Sequence, residues 1–108
     1  MKLHFYFQKV DPNSKDSLEH YLDQAKVNRL TRLLQHGNLE LADLDITVAY
    51  MAHHNAFDVK LDLKIAKKVL FAEDKSHDIL KAFDLTFDRL INQLRKVENL
   101  RHDKKYLI

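Results

Sequence analysis

Leu3, Phe5 and Phe7 are interleaved with His4, Tyr6 and Gln8, the period-2 pattern of a half-buried strand. Asp11-Pro12-Asn13-Ser14 interrupts it and holds the chain's only proline. Asn13 or Ser14 is placed to cap a helix predicted over about residues 16–35. Gly37, the only glycine, follows as a left-handed terminator, with Asn38 reinforcing the stop. Alternation then returns. Leu44, Ile46, Val48 and Tyr50 share one side of a second strand. Phe57, Val59, Leu61, Leu63 and Ile65 share one side of a third, with Asp58, Lys60, Asp62 and Lys64 opposite. This pattern implies an antiparallel sheet with one wet face. "KKVLFAE" predicts a fourth strand after a tight turn at Ala66-Lys67, and Ser76 is placed to cap a last helix running to about Arg101.

In that last helix Leu80, Phe83, Phe87, Leu90, Leu94 and Val97 keep a three-four spacing, one sustained core stripe. The first helix has two stripes, Leu18-Leu22-Ala25 and Val27-Leu30-Leu34, with a slip between them near Lys26. The order β-α-β-β-β-α predicts an α+β fold, a four-stranded sheet with two helices packed on one face. There is no repeat, low-complexity tract or linker. At 108 residues the chain reads as one domain, residues 1–108, with 102–108 as a frayed tail.

Composition narrows the chemistry. No cysteine is present, which excludes disulfides, thiolate metal sites and cysteine nucleophiles. No run approaches the roughly 18–20 apolar residues of a membrane span, and the alternating N-terminus is no signal peptide. These features predict a soluble, cytoplasmic protein with no membrane partner. The seven histidines lack helix-face metal spacing, and adjacent His53 and His54 at a strand end point to opposite faces. No nucleophile elbow, phosphate loop or dinucleotide fingerprint occurs, and one glycine cannot build such loops. The expectation is a non-enzyme without metal, cofactor or small-molecule substrate.

Net charge is only +2, but it is unevenly spread. Between Phe87 and Lys105 lie six basic and three acidic residues, and from Gln24 to Leu39 there is no acid. Arg89, Asn92 and Lys96 fall at i, i+3 and i+7 on the second helix; Arg29, Arg32 and His36 repeat that spacing on the first, with Lys26 one turn earlier. Two helices on one side of a sheet thereby offer neighbouring positive stripes, the footprint of a phosphate-backbone reader. An opposing explanation exists. Both helices begin with acids and end with bases, as the helix macrodipole favours. That effect fades within one turn, whereas Lys26 and Arg89 lie well inside their helices. A different class of function also fits: a protein-interaction module that dimerises through the open sheet face around Tyr6, Thr47 and Met51, with no RNA role.

The residue order carries more than the charge. Asp78-Ile79-Leu80-Lys81-Ala82-Phe83-Asp84 is followed by Asp88-Arg89-Leu90 and Gln93-Leu94-Arg95-Lys96, and the first helix holds Lys26-Val27-Asn28-Arg29-Leu30. With the element order, this resembles the ribosome hibernation promoting factors and ribosome-associated inhibitors, also labelled sigma-54 modulation proteins. Leu80 and Glu98 stand where that family has tyrosine and lysine. The resemblance implies a fold like that of double-stranded-RNA-binding domains. It implies a protein lodged in the small ribosomal subunit between head and body, on the 16S rRNA of the free subunit or the 70S ribosome. There it covers the mRNA path and the tRNA anticodon ends, silencing idle ribosomes during stress or stationary phase. Carried over by position, Lys26, Arg29, Arg89, Arg95 and Lys96 become the rRNA contacts; Arg32, Arg101 and Lys104 join them from charge geometry. The chain ends soon after the second helix, so it looks like a short form, expected to be a monomer when free.

Overall fold

Asp11 is where the first helix begins. In the computed structural model of the chain, which describes residues 2–22, 28–30, 32, 42–65 and 68–106, with side chains to 96, the Asp11 carboxylate accepts the Ser14 N–H at 3.1 Å and the Ser14 hydroxyl at 2.6 Å. These bonds hold its pKa below the ordinary carboxylate value, the Ser14 side chain contributing most. The predicted cap at Asn13 or Ser14 is therefore corrected to Asp11, and helix α1 runs Pro12–Tyr21. Pro12 opens the helix because the first turn has no intrahelical use for the N–H that proline lacks. Leu18 and Leu22 are fully buried. Residues 28–30 and 32 are again helical, with Leu30 buried. The predicted stripe slip near Lys26 and the stop at Gly37 lie outside the described residues.

Strands β1 (Lys2–Gln8), β2 (Ala42–Met51), β3 (Ala56–Ile65) and β4 (Lys68–Ser76) form one sheet in the order β1-β2-β3-β4. β2, β3 and β4 are antiparallel neighbours, but β1 pairs with β2 in parallel, Leu3 beside Leu44 and Phe7 beside Val48. The sheet is thus mixed, a correction to the antiparallel expectation. Alternation along a strand reports which face is buried, not which way its neighbour runs. The long helical crossover between β1 and β2 is what permits the parallel pair.

Helix α2 spans Ile79–Tyr106 and continues past the predicted end at Arg101. Its first turn is capped by Asp78, whose carboxylate accepts the Leu80 N–H at 2.9 Å, so the predicted cap at Ser76 moves two positions on. Ser76 instead supports the cap from outside: its hydroxyl accepts the Asp78 N–H at 3.4 Å. Phe83, Phe87, Leu90 and Leu94 are buried as the stripe predicts, and Ala82, Thr86 and Ile91 widen it. They meet Leu44, Ile46, Val59, Leu61 and Leu63 from the sheet. Phe83 and Phe87 stack at 5.5 Å between ring centroids, and Tyr21 meets Phe83 edge-on at 6.3 Å. Thr86 is the one buried hydroxyl in this layer among the described residues, and it is satisfied: it donates to the Ala82 carbonyl at 2.8 Å and lies 3.3 Å from that of Val59. All of this packing lies on one side of the sheet. The other side is left open.

Candidate nucleic-acid interface

The core stripe of α2 determines where its charges point. With about 100° between successive residues, Asp88 and Arg95 fall on one flank, seven positions apart, while Arg89 and Lys96 fall on the next. The first flank faces the first helix. Tyr21 donates its hydroxyl to the Asp84 carboxylate at 2.8 Å, and the Arg29 guanidinium lies 3.9 Å from Asp88. Burial, then the neighbouring Asp84, pushes the Tyr21 phenol up to about 12, so it stays a donor throughout the physiological range. The second flank faces β4. Arg89 Nε meets Asp74 at 3.0 Å, and Gln93 donates to the Phe71 carbonyl at 2.6 Å. That second bond closes an outward-facing acceptor on the edge strand, which blunts it against pairing.

The predicted residues therefore do not form one stripe. Arg29, Arg32 and Arg95 belong with the helix–helix side, and Arg89 and Lys96 with the β4 side; all five are exposed. Asn92, predicted between Arg89 and Lys96, is exposed on the ridge between the flanks. Lys26 and His36 lie outside the described residues. Arg101 and Lys104 fall on the helical backbone of α2, their side chains beyond the described ones. Two partners were absent from the sequence reading. Asp88 and Asp74 each hold one arginine, and both ion pairs are solvent-exposed enough to contribute only about 0–1 kcal/mol. The Arg29 pair is also beyond hydrogen-bond length. Arg89 remains 64% exposed despite its contact. These carboxylates orient the arginines without consuming their capacity to meet phosphate. Asp74 could have been anticipated, because it continues the inward parity of Leu70 and Ala72 toward α2.

The open sheet face differs in character. Its cross-strand rows place Lys2, Asp43, Lys64 and Val69 together, then His4, Asp45, Asp62 and Phe71, then Tyr6, Thr47, Lys60 and Glu73, and last Gln8, Ala49, Asp58 and Lys75. Five carboxylates meet four lysines there, so this face offers a polyanion no net attraction. Nor is it an apolar dimer face. Tyr6 is 53% exposed but stands on the β1 edge, far from the exposed Val69 and Phe71 on β4, with charged residues between. Met51 is half-buried at the sheet's end.

One group on this face is strained electrostatically. Asp58 is buried, its Oδ1 has no hydrogen-bond donor, and the Glu73 carboxylate beside it is itself an acceptor. Burial, then Glu73, raises the Asp58 pKa, against the pull of Lys60 and Lys75. A carboxyl raised in the folded state stabilises the fold below its unfolded pKa, 3.8 here, and loses that contribution as pH rises through the folded value. Asp58→Asn is accordingly expected to stabilise the protein at pH 7 by about 1 kcal/mol, because an amide N–H can donate to Glu73. Thermal melts should show the advantage at pH 7 and its disappearance near pH 3.5.

Among the described residues no group of three or more histidine, aspartate or glutamate side chains is arranged to hold a metal, and no helix is long and apolar enough to cross a membrane.

The fold and site together define a two-layer α+β module with a charge-balanced open sheet face and a helical side on which exposed Arg29, Arg32, Arg89, Arg95 and Lys96 stand beside the acids Asp16, Glu19, Asp84 and Asp88. The chain belongs to the sigma 54 modulation protein / S30EA ribosomal protein family, whose model matches residues 6–101. Among solved structures it is similar to the Thermus thermophilus Protein Y N-terminal domain, at 15% identity and a TM-score of 0.70, over 90% of this chain and 99% of that one. It is also similar to a ribosomal subunit interface protein from Coxiella burnetii, at 18% identity and a TM-score of 0.59, over 92% of this chain and 99% of that one. At such identities these neighbours establish the fold. No curated protein sequence gives a match.

Proposed function

We propose that this protein is a non-catalytic, cytoplasmic ribosome hibernation factor. Its helical side binds 16S rRNA in the small subunit, free or within the 70S ribosome, and sterically covers the mRNA path and the tRNA anticodon positions. The observation that carries this reading is the clustering of exposed Arg29, Arg32, Arg89, Arg95 and Lys96 on the helical side, C-terminal to the acids Asp16, Glu19 and Asp84 of the two helices, on a fold whose other face is charge-balanced. Family membership supplies the ribosomal context. Lys26, Arg101 and Lys104 complete the proposed contact set.

Cations held on braced helices replace condensed counterions around rRNA phosphates, and the released ions supply much of the binding free energy. Folded RNA is recognised largely by shape, which a rigid helix pair can match without opening bases. The Tyr21–Asp84 hydrogen bond and the packing of Tyr21 on Phe83 tie the two helices together, so the protein meets the RNA as one body. Inhibition then needs no chemistry. A folded domain in the mRNA path is sufficient, and it binds as a monomer.

Occlusion predicts mutual exclusion. Small subunits preloaded with mRNA and initiator tRNA should bind the protein much more weakly than empty ones in a filter-binding competition, and the protein should delay mRNA loading in the reverse order. Simultaneous, undiminished binding of all three would rule out the steric part of the proposal.

A further inference from the structure

At the pole where β2 turns into β3 and α2 begins, an open groove of about 700 Å³ is lined by Met51, His54, Ala56, Lys75, Ser76, His77, Lys81 and Leu85. It belongs to neither flank of the helix pair described above. Four of its eight lining residues are lysine or histidine and none is acidic. Its size falls within the roughly 300–1,000 Å³ typical of small-ligand sites. The nearest acids by sequence and pairing have other partners: Asp74 meets Arg89 at 3.0 Å and accepts the Lys75 backbone N–H at 2.8 Å. Asp78 caps α2 through the Leu80 N–H, and Asp58 lies opposite Lys75 on the open sheet face beside Glu73.

The groove is held in shape from beneath. Asn55 takes a left-handed conformation at φ 46°, which asparagine tolerates better than most residues. Its side-chain oxygen accepts the Tyr50 hydroxyl at 2.6 Å, and the His54 and Asn55 N–H groups donate back to the Met51 and Ala52 carbonyls. The Asn55 carbonyl lies 2.6 Å from His77 Nδ1. A carbonyl can only accept, so Nδ1 carries the proton and the ring is oriented with Nε2 left over. Met51, Ala56 and Leu85 give an apolar floor, and Leu85, on α2, is 39% exposed there.

We propose that this groove is a second RNA contact, taking one unstacked nucleotide of a single strand. The base lies on Met51, Ala56 and Leu85 beside the His54 and His77 ring planes, and the flanking phosphates meet Lys75 and Lys81. A nucleotide suits this lining because it combines a flat, largely apolar body with fixed negative charge. The inference rests on the ribosomal reading and gives the protein a contact at the pole of the fold in addition to the helix flanks.

The test uses the intact protein in amide-detected NMR titrations with a short polyuridine oligonucleotide, with uridine monophosphate and with inorganic phosphate. Binding to purified small subunits is measured alongside. The oligonucleotide should shift Met51, Lys75, His77, Lys81 and Leu85. Lys75→Glu with Lys81→Glu should abolish those shifts and weaken subunit binding about tenfold or more, two phosphate contacts being lost. Leu85→Ser should weaken the oligonucleotide but not phosphate. Both lysines and Leu85 are exposed, and a circular dichroism melt confirms that the variants fold. If uridine monophosphate shifts the groove and the oligonucleotide does not, the RNA-strand assignment is overturned in favour of a free nucleotide. If the lysine variant binds subunits like the wild type while Arg89→Glu with Lys96→Glu does not, the groove proposal fails and the ribosomal reading stands. If neither variant loses binding, the groove proposal fails together with the helical-side contact set, and the subunit contact lies elsewhere on the molecule; if the wild type itself does not bind subunits, the ribosomal reading falls.

Discussion

Arg89→Glu combined with Lys96→Glu should lower affinity for small ribosomal subunits by about 50-fold or more near 0.1 M salt. Each phosphate contact contributes a factor of roughly eight at that ionic strength, from a slope of about −0.9 per contact in log affinity against log salt. Two contacts are lost, and two repulsive charges are added. The two side chains lie on the same flank of α2, seven residues apart and both exposed, so they address one stretch of phosphate backbone. Arg89 also meets Asp74 at 3.0 Å, and a glutamate there would face that carboxylate. A melt at low salt separates this local cost from the loss of binding. Arg89→Gln with Lys96→Gln, which adds no repulsion, should keep the fold and still weaken binding about tenfold or more. The salt slope of that neutral variant should be shallower than wild type by about 2. An unchanged slope would place the RNA elsewhere on the molecule.

Phe83→Ala carries the largest expected stability effect, a loss of about 3–5 kcal/mol in urea denaturation. The side chain is fully buried and is the meeting point of the layers. Tyr21 of α1 packs on its edge, Phe87 stacks against it, and the sheet closes it from below. Truncation leaves a cavity that rigid neighbours cannot refill, and it loosens α1 from α2. For a domain whose total stability is typically about 5–15 kcal/mol, that loss brings it near unfolding at physiological temperature. Where the variant is still folded, at low temperature, its RNA affinity should fall less than that of the Arg89 and Lys96 variants. A core change acts on the population of the binding surface, not on its charge.

The sequence reading and the structure agree best where one face of an element is buried. Phe57 to Ile65 alternate so regularly that β3 could be placed within one residue, and the Phe83–Leu94 stripe placed α2 on the sheet. The pattern places the start of α1 too late, because Asp11-Pro12 reads as a chain break when it is the cap and first residue of the helix. Proline ends a helix from within but opens one from its first turn, and only the backbone beyond it distinguishes the two. The direction of β1 was also hidden, since Leu3, Phe5 and Phe7 present the same face to the core whichever way the strand runs.

The candidate site was legible one cation at a time. Charge and spacing pick out Arg29, Arg32, Arg89 and Lys96, the family resemblance adds Arg95, and each is exposed. Their grouping was not legible. Adjacent Asp88 and Arg89 diverge by about 100°, one toward Arg29 and the other toward Asp74 on a strand, and such pairings across elements leave no local pattern. The groove at the pole was hidden for the same reason. Met51 ends β2, His77 lies in the loop between β4 and α2, and Leu85 is on α2; they meet only when the β2–β3 turn and the start of α2 fold together.

Sedimentation of the wild-type protein with purified small subunits across a salt series tests the central claim most directly. Co-sedimentation near one protein per subunit at 0.1 M salt is expected. Affinity should fall with a log–log slope of about −4 or steeper, since five exposed cations on the helical side each displace close to one counterion. Absence of co-sedimentation at low salt, or binding that does not respond to salt, would contradict it.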